Sequence, residues 1–237
     1  MPRTARASLG GYCYHVINRG NARATVCHQP DDYDAFVRLL QRGCARLPMR
    51  LVGFCLMPNH FHLALWPYGD GDLSDWIGWL LTAQVRRHHK VYRSSGHIWQ
   101  GRFRAFAIEQ DDHLRAVLRY IERNPLRAGL VSRAEDWPWS SLRWRREPPL
   151  LPFLDPGPAQ RHAQWLEQVN APQTAAELAA VRRCVQRGMP LGSAGWVEQT
   201  ASRLGLECTL REAGRPPRAA SRSGVRVDAD KSLFGEE

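Results

Sequence analysis

Four side chains in two short stretches have the types and spacing for chemistry on a phosphate ester. His60 and His62 flank Phe61. On a strand, residues two apart project from the same face, so both imidazoles can grip one divalent metal. Tyr120 and Asn124 are four apart, which puts them on one face of a helix. Arg123 and Arg127 fall near the same side. A tyrosine hydroxyl, with a pKa of about 10, is a poor nucleophile at neutral pH. It attacks a phosphodiester when something polarises the phosphate and stabilises the leaving oxygen. A divalent metal on two histidines can do both. Asn124 offers a third, oxygen ligand, and the arginines suit a phosphate backbone. Neither stretch is specific alone. A His-x-His pair is common as plain core or surface histidines, and a tyrosine on a basic helix is commonly structural.

The elements that must position these residues follow from periodicity. Tyr12-Cys13-Tyr14-His15-Val16-Ile17-Asn18 is aromatic and β-branched, and reads as a strand ending in a turn at Arg19-Gly20-Asn21. Residues 31–46 have helical spacing, with Asp31 or Asp32 as N-cap. An apolar run at 51–57, a Pro58-Asn59 turn and residues 60–66 read as a hairpin. In its second arm His60, His62, Ala64 and Trp66 share one face, and Phe61, Leu63 and Leu65 make the other one greasy. A helix is expected over 73–92, a strand over 102–109, and a helix from Asp111 or Asp112 to Asn124. Pro125 makes Asn124 its expected last residue, because a residue before proline avoids the α region. Trp137-Pro138-Trp139-Ser140-Ser141 closes this region.

The chain has 237 residues, with 33 Lys+Arg against 23 Asp+Glu, a net charge of +10. Nearly all the cations are arginine, whose planar fork matches a phosphate, so the balance suits a polyanion partner. A basic protein from an arginine-rich proteome would look the same. The six cysteines form no CxxC pair, which argues against a zinc ribbon and for reduced thiols. No stretch approaches the roughly 18 apolar residues that span a bilayer, and the basic start has no apolar run behind it. A cytoplasmic, nucleoid-associated protein is expected, with no membrane partner. The expected organisation is a domain over 1–146, a proline-rich linker over 147–158, a helical extension over 159–210 and a basic, disordered tail over 211–237. Within the extension, residues 159–186 look helical and a short helical module surrounds 196–204.

Leu56-Met57-Pro58-Asn59-His60-Phe61-His62-Leu63 resembles the histidine motif (His, hydrophobic, His) of the single-tyrosine HUH transposases. Trp99-Gln100-Gly101-Arg102-Phe103 is similar to their strand motif. The stretch from Tyr120 through Asn124-Pro125 to Val131 resembles their catalytic helix, and Tyr14-His15-Val16 through Arg19-Gly20-Asn21 their first strand. Arg187-Gly188, Trp196, Arg203-Leu204-Gly205-Leu206-Glu207 and Gly214-Arg215-Pro216 resemble the branch of REP-associated tyrosine transposases, named for repetitive extragenic palindromes. This resemblance implies an α+β fold, an antiparallel sheet of ferredoxin-like (RRM-like) topology with a small helical C-terminal extension. It implies a metal-dependent single-strand DNA endonuclease and strand transferase acting beside palindromic hairpins. Tyr120 would hold the 5′ phosphate and release a 3′ hydroxyl. His60, His62 and Asn124 would hold Mg²⁺ or Mn²⁺. Arg19, Asn21, Gln100, Arg102, Arg123, Arg127 and Arg215 are the expected DNA contacts, and a monomer is expected. In relatives of the insertion-sequence branch the ligand after the tyrosine is usually glutamine, one methylene longer than Asn124.

Two other readings exist. A catalytically silent hairpin-binding regulator would use the same sheet and basic tail, but binding alone needs none of His60, His62 and Tyr120. A metallohydrolase using His60, His62 and Asp70 or Asp72 would lack a HExxH motif or a third histidine.

Overall fold

The structure, a computed structural model, describes residues 8–146 and 153–211. The first stretch runs β1 (Cys13–Arg19), α1 (Pro30–Arg46), β2 (Met49–Met57), β3 (His60–Pro67), α2 (Asp72–Tyr92) and β4 (Arg104–Ile108). The strands lie in the order β2-β3-β1-β4, every neighbouring pair antiparallel. This is the expected ferredoxin-like topology. Then come α3 (Asp112–Glu122), α4 (Asn124–Arg127) and α5 (Ser141–Arg146). The extension adds α6 (Trp165–Asn170), α7 (Ala175–Arg187), α8 (Ala194–Leu204) and α9 (Glu207–Leu210). No helix among the described residues is long and apolar enough to cross a membrane.

Both faces of the sheet are covered. Phe61, Leu63 and Leu65 of β3 join Tyr14 and Val16 of β1 against Phe36 and Leu40 of α1 and Trp76 and Leu80 of α2. The face that carries the histidines is also covered. Cys55, Ala64, Phe106 and Ile108 pack there against Leu114, Val117, Leu118 and Ile121 of α3. A bulge between Leu51 and Gly53 lets β2 serve both layers. A Cβ on Gly53 would meet the tip of the Leu118 side chain of α3 at 2.8 Å, so a larger residue there would push that side chain aside.

Helix ends depart from expectation in instructive ways. The N-cap of α1 is Gln29, and Pro30 opens the helix. Asp32 instead sits at the third helical position, where its Oδ2 accepts from the N–H groups of His28 and Gln29 at 2.9 and 3.2 Å. Asn124 does not end the helix that carries Tyr120. Helix α3 stops at Glu122, Arg123 keeps helical angles (φ −81°, ψ −8°), and α4 begins at Asn124. Pro125 is tolerated because the first turn of a helix needs no N–H from it.

The extension is two helices, not one, over 159–186. Pro172 lies between α6 and α7, and Thr174 caps α7 by accepting from the Glu177 N–H at 3.1 Å. Both helices pack on α3. Arg119 reaches the carbonyls of Gln168, Ala171 and Pro172 at 2.6, 2.9 and 3.0 Å. Ala159, Trp165, Val169, Val181 and Cys184 share the core under the histidine face. Of the proline-rich segment, 153–158 is described: the N–H of Asp155 bonds the Leu51 carbonyl of β2 at 2.9 Å. The tail from 212, with Arg215, lies outside the described residues.

Glu122, fully buried, locks α3 from behind. It accepts from Ser141 Oγ and Trp165 Nε1, each at 2.7 Å, and Arg161 Nη2 lies 3.6 Å away. Glu122→Ala leaves the Trp165 indole N–H and the Ser141 hydroxyl without their buried acceptor and takes the carboxylate from beside Arg161, and is expected to cost roughly 3 kcal/mol. Urea denaturation measures it, and a loss under about 1 kcal/mol, the size of an ordinary substitution, would contradict the lock.

Candidate active site

Strand β3 presents His60 and His62 from one face at the sheet centre, and β1 runs beside it with Ile17 opposite His62 and Arg19 opposite His60. Helix α3 crosses this face and brings Tyr120 down onto the histidines. The Tyr120 ring centroid lies 5.6 Å from that of His62, the planes nearly perpendicular at 89°. Asn124, one turn on, opens into the same cleft, and the Arg127 guanidinium lies 4.2 Å from the Tyr120 ring centroid. The cleft measures about 600 Å³. Among the described residues its wall includes Arg19, Arg102, Arg104, Arg127 and Arg182, and no aspartate or glutamate. Uncompensated positive charge in a concave site favours a polyanion.

The histidines are neutral at neutral pH. Burial, then the charges of Arg19 and Arg127, brings His60 down to about 4. Burial first, then His15 and His60, holds His62 well below the ordinary value. Neutral imidazoles offer lone pairs, which a metal requires. Neighbours decide which nitrogen offers one. His60 Nδ1 lies 2.7 Å from Asn59 Oδ1, which can only accept. His60 therefore keeps its proton on Nδ1 and turns a free Nε2 away from Asn59. His62 Nδ1 lies 2.8 Å from Nε2 of His15, a fully buried residue whose ring stacks on that of His62. When His62 donates in this bond, its Nε2 is also free. Partners of this kind orient metal-binding histidines.

Buried N–H donors call for an acceptor beside the histidines. Asn124 Nδ2, Arg19 Nε and Arg127 Nη1 are buried without a hydrogen-bond partner among the described residues. Such groups are costly unless something else satisfies them. Two imidazole nitrogens, an amide and phosphate-seeking arginines around one cleft fit a divalent cation with a phosphodiester. A second cluster, Glu109, Asp111 and His113, has metal-compatible spacing but lies at the other end of α3. Its carboxylates already serve the fold: Glu109 accepts from the N–H of Ser193 at 2.6 Å, and Asp111 caps α3 through the N–H of His113 at 2.8 Å.

Of the residues singled out from sequence, the cleft brings together Tyr120, His60, His62, Asn124, Arg19, Gln100, Arg102 and Arg127. Asn21 is exposed in the turn after β1 and does not line it. Arg123 turns away, donating to the carbonyls of Val169, at 2.8 Å, and Asn170. The extension supplies acceptors on that side of α3. Asp70 and Asp72 brace the turn after β3, accepting from the N–H groups of Gly10 and Gly69 at 2.8 and 2.7 Å. They do not line the cleft, so the metallohydrolase grouping does not form. Sequence reasoning passed over His15, Arg104, Arg182 and Gln186. Strand alternation puts His15 on the side of Ile17 and Arg19, but only the pairing of β1 with β3 shows that this is the histidine face.

Comparison with known proteins gives the family. Residues 8–124 match the family model of IS200-like transposases. A Haemophilus influenzae protein named for the REP-associated tyrosine transposases is 32% identical over 129 residues, 50% of this chain and 73% of the relative. The REP-associated tyrosine transposase of Escherichia coli is 26% identical over 135 residues, 56% of this chain and 77% of its own. A solved REP-associated tyrosine transposase bound to a REP hairpin is 23% identical, with a TM-score of 0.49, covering 60% of this chain and 84% of that one.

Proposed function

The chain belongs to the REP-associated tyrosine transposases, within the IS200-like transposase family, and on that footing we propose that it cuts and rejoins single-stranded DNA beside a palindromic-repeat hairpin, with Tyr120 as nucleophile. The observation that carries the reading is the meeting of Tyr120, His62 and Asn124 in a cleft walled by arginine and, among the described residues, free of carboxylates. A monomer is the proposed working unit. Its place of work would be the cytoplasm, on the nucleoid.

His60 and His62, through Nε2, and Asn124, through its amide oxygen, would hold Mg²⁺ or Mn²⁺. Bound there, the cation polarises the scissile phosphate and stabilises the leaving oxygen. Arg19, Arg102 and Arg127 seat the phosphate and neutralise its charge. Packing of Tyr120 between His62 and Arg127 fixes the ring, so the hydroxyl is aimed before the strand arrives. Its oxygen bonds to phosphorus as the phosphorus–3′-oxygen bond breaks. The phenol loses a proton and the departing 3′ oxygen gains one. The products are a 5′-phosphotyrosine and a 3′ hydroxyl. One phosphodiester replaces another, so a 3′ hydroxyl can reverse the step and rejoin the strand.

The test is cleavage of end-labelled oligonucleotides that carry a palindromic-repeat hairpin with single-stranded flanks, in Mg²⁺ or Mn²⁺. Cutting in the flank of the hairpin substrate, and not of a scrambled one, is expected. Equal cutting of both would overturn the hairpin specificity, and no cutting with either metal would overturn the nuclease. Because His15 orients His62, His15→Ala should weaken Mn²⁺ binding roughly 10- to 100-fold, the usual cost of losing a partner behind a histidine ligand. Calorimetric titration of Mn²⁺ reads it, and unchanged affinity would show that His15 is only packing.

A further inference from the structure

The family match ends at residue 124, yet α7, far beyond it, builds one wall of the cleft. Arg182, Val185 and Gln186 line it. They stand at i, i+3 and i+4, a single face of the helix. The adjoining face buries Val181 and Cys184 in the core, which fixes the helix's rotation. Its position along β4 is fixed as well. Leu191, just after α7, exchanges backbone hydrogen bonds with Ala107 and Glu109, both at 2.9 Å. Arg104 donates to the carbonyls of Val185 and Gln186 at 3.4 and 3.5 Å. Arg104 is thereby occupied in holding the end of α7, although it lies in the cleft.

Arg182 has no such task. It is exposed, and it makes no hydrogen bond or ion pair among the described residues. The charge it faces is that of Arg127, another cation, beside Tyr120. Two guanidiniums held toward one carboxylate-free cleft repel each other unless an anion lies between them. We infer that α7 is the far wall of the single-strand channel, and that Arg182 and Gln186 grip the DNA strand there, Arg182 at a backbone phosphate. This rests on the reading of the cleft as a DNA site. It makes the extension part of the strand-binding machinery, with residues that the family match does not reach.

The experiment uses the full chain with Tyr120→Phe, so that binding is read without cleavage. A fluorescent hairpin oligonucleotide with a single-stranded flank is titrated by anisotropy across a range of salt. Arg182→Ala is expected to weaken binding roughly fivefold and to flatten the salt dependence by about 0.7, the counterion release of one single-strand phosphate contact. Gln186→Ala is expected to weaken binding about twofold without changing the slope, since it removes no charge. Arg183→Ala, the neighbouring exposed arginine outside the cleft, is the control and should leave affinity within about twofold and the slope unchanged. If Arg182→Ala behaves like the parent, or Arg183→Ala loses as much, the wall makes no specific contact and the inference fails. If the Tyr120→Phe parent itself does not bind the strand, the reading of the cleft falls first.

Discussion

Tyr120→Phe is expected to lower strand cleavage on the order of 10⁴-fold or more, as loss of a nucleophile does in other covalent enzymes, and to leave strand affinity within about twofold. The substitution is a clean one here. Tyr120 is buried, with 7% of its surface exposed, and its ring is held by His62 and Arg127. Phenylalanine keeps that ring, and with it the packing of α3 on the sheet. Only the oxygen goes. Arg19, Arg102 and Arg127 would still meet the phosphates, so binding should persist while the bond-forming atom is gone. A variant that still cuts and still forms a covalent adduct would move the nucleophile to another residue. A variant that neither binds nor folds would show that the hydroxyl has a structural task which these contacts do not reveal.

His60→Ala is expected to reduce metal-dependent cleavage by roughly two to three orders of magnitude, the scale of losing one group that stabilises transition-state charge. His60 is the better choice of the two histidines. It is only partly buried at the start of β3, whereas His62 is 1% exposed and stacked on His15, so its removal would also open a cavity. The same variant should bind Mn²⁺ more weakly in the absence of DNA. Cleavage that survives unchanged, or that continues in excess chelator, would remove the metal from the account.

Most of what local periodicity encodes was readable from the residues. Alternation along residues 60–66 placed both histidines on one strand face, and four-residue spacing placed Tyr120 over Asn124, because side-chain direction repeats every two residues on a strand and about every 3.6 on a helix. What escaped depends on contacts distant in sequence. His15 meets His62 across 47 positions, and α7 reaches the cleft from beyond residue 174. Neither leaves a periodic signal. Arg123 shows the limit of helical spacing. It is one residue from Asn124, yet its guanidinium is taken by carbonyls of α6, partners that belong to another segment. The proline rule also misled at Asn124. The rule describes a preference, and here the backbone of 123–127 continues the helical path, with the Arg127 N–H bonded to the Arg123 carbonyl at 2.9 Å. This continuation keeps Asn124 in the cleft.

The proposed chemistry runs through one oxygen atom, and its most direct test is the identity of the covalent adduct. The protein is incubated with a hairpin oligonucleotide in Mn²⁺, quenched in denaturant, digested with nuclease and protease, and the modified peptide is sequenced by mass spectrometry. A 5′-phosphodeoxynucleotide on Tyr120, with a free 3′ hydroxyl on the released strand, is the predicted result. An adduct on any other residue, or a cut that leaves a 3′ phosphate, would contradict it.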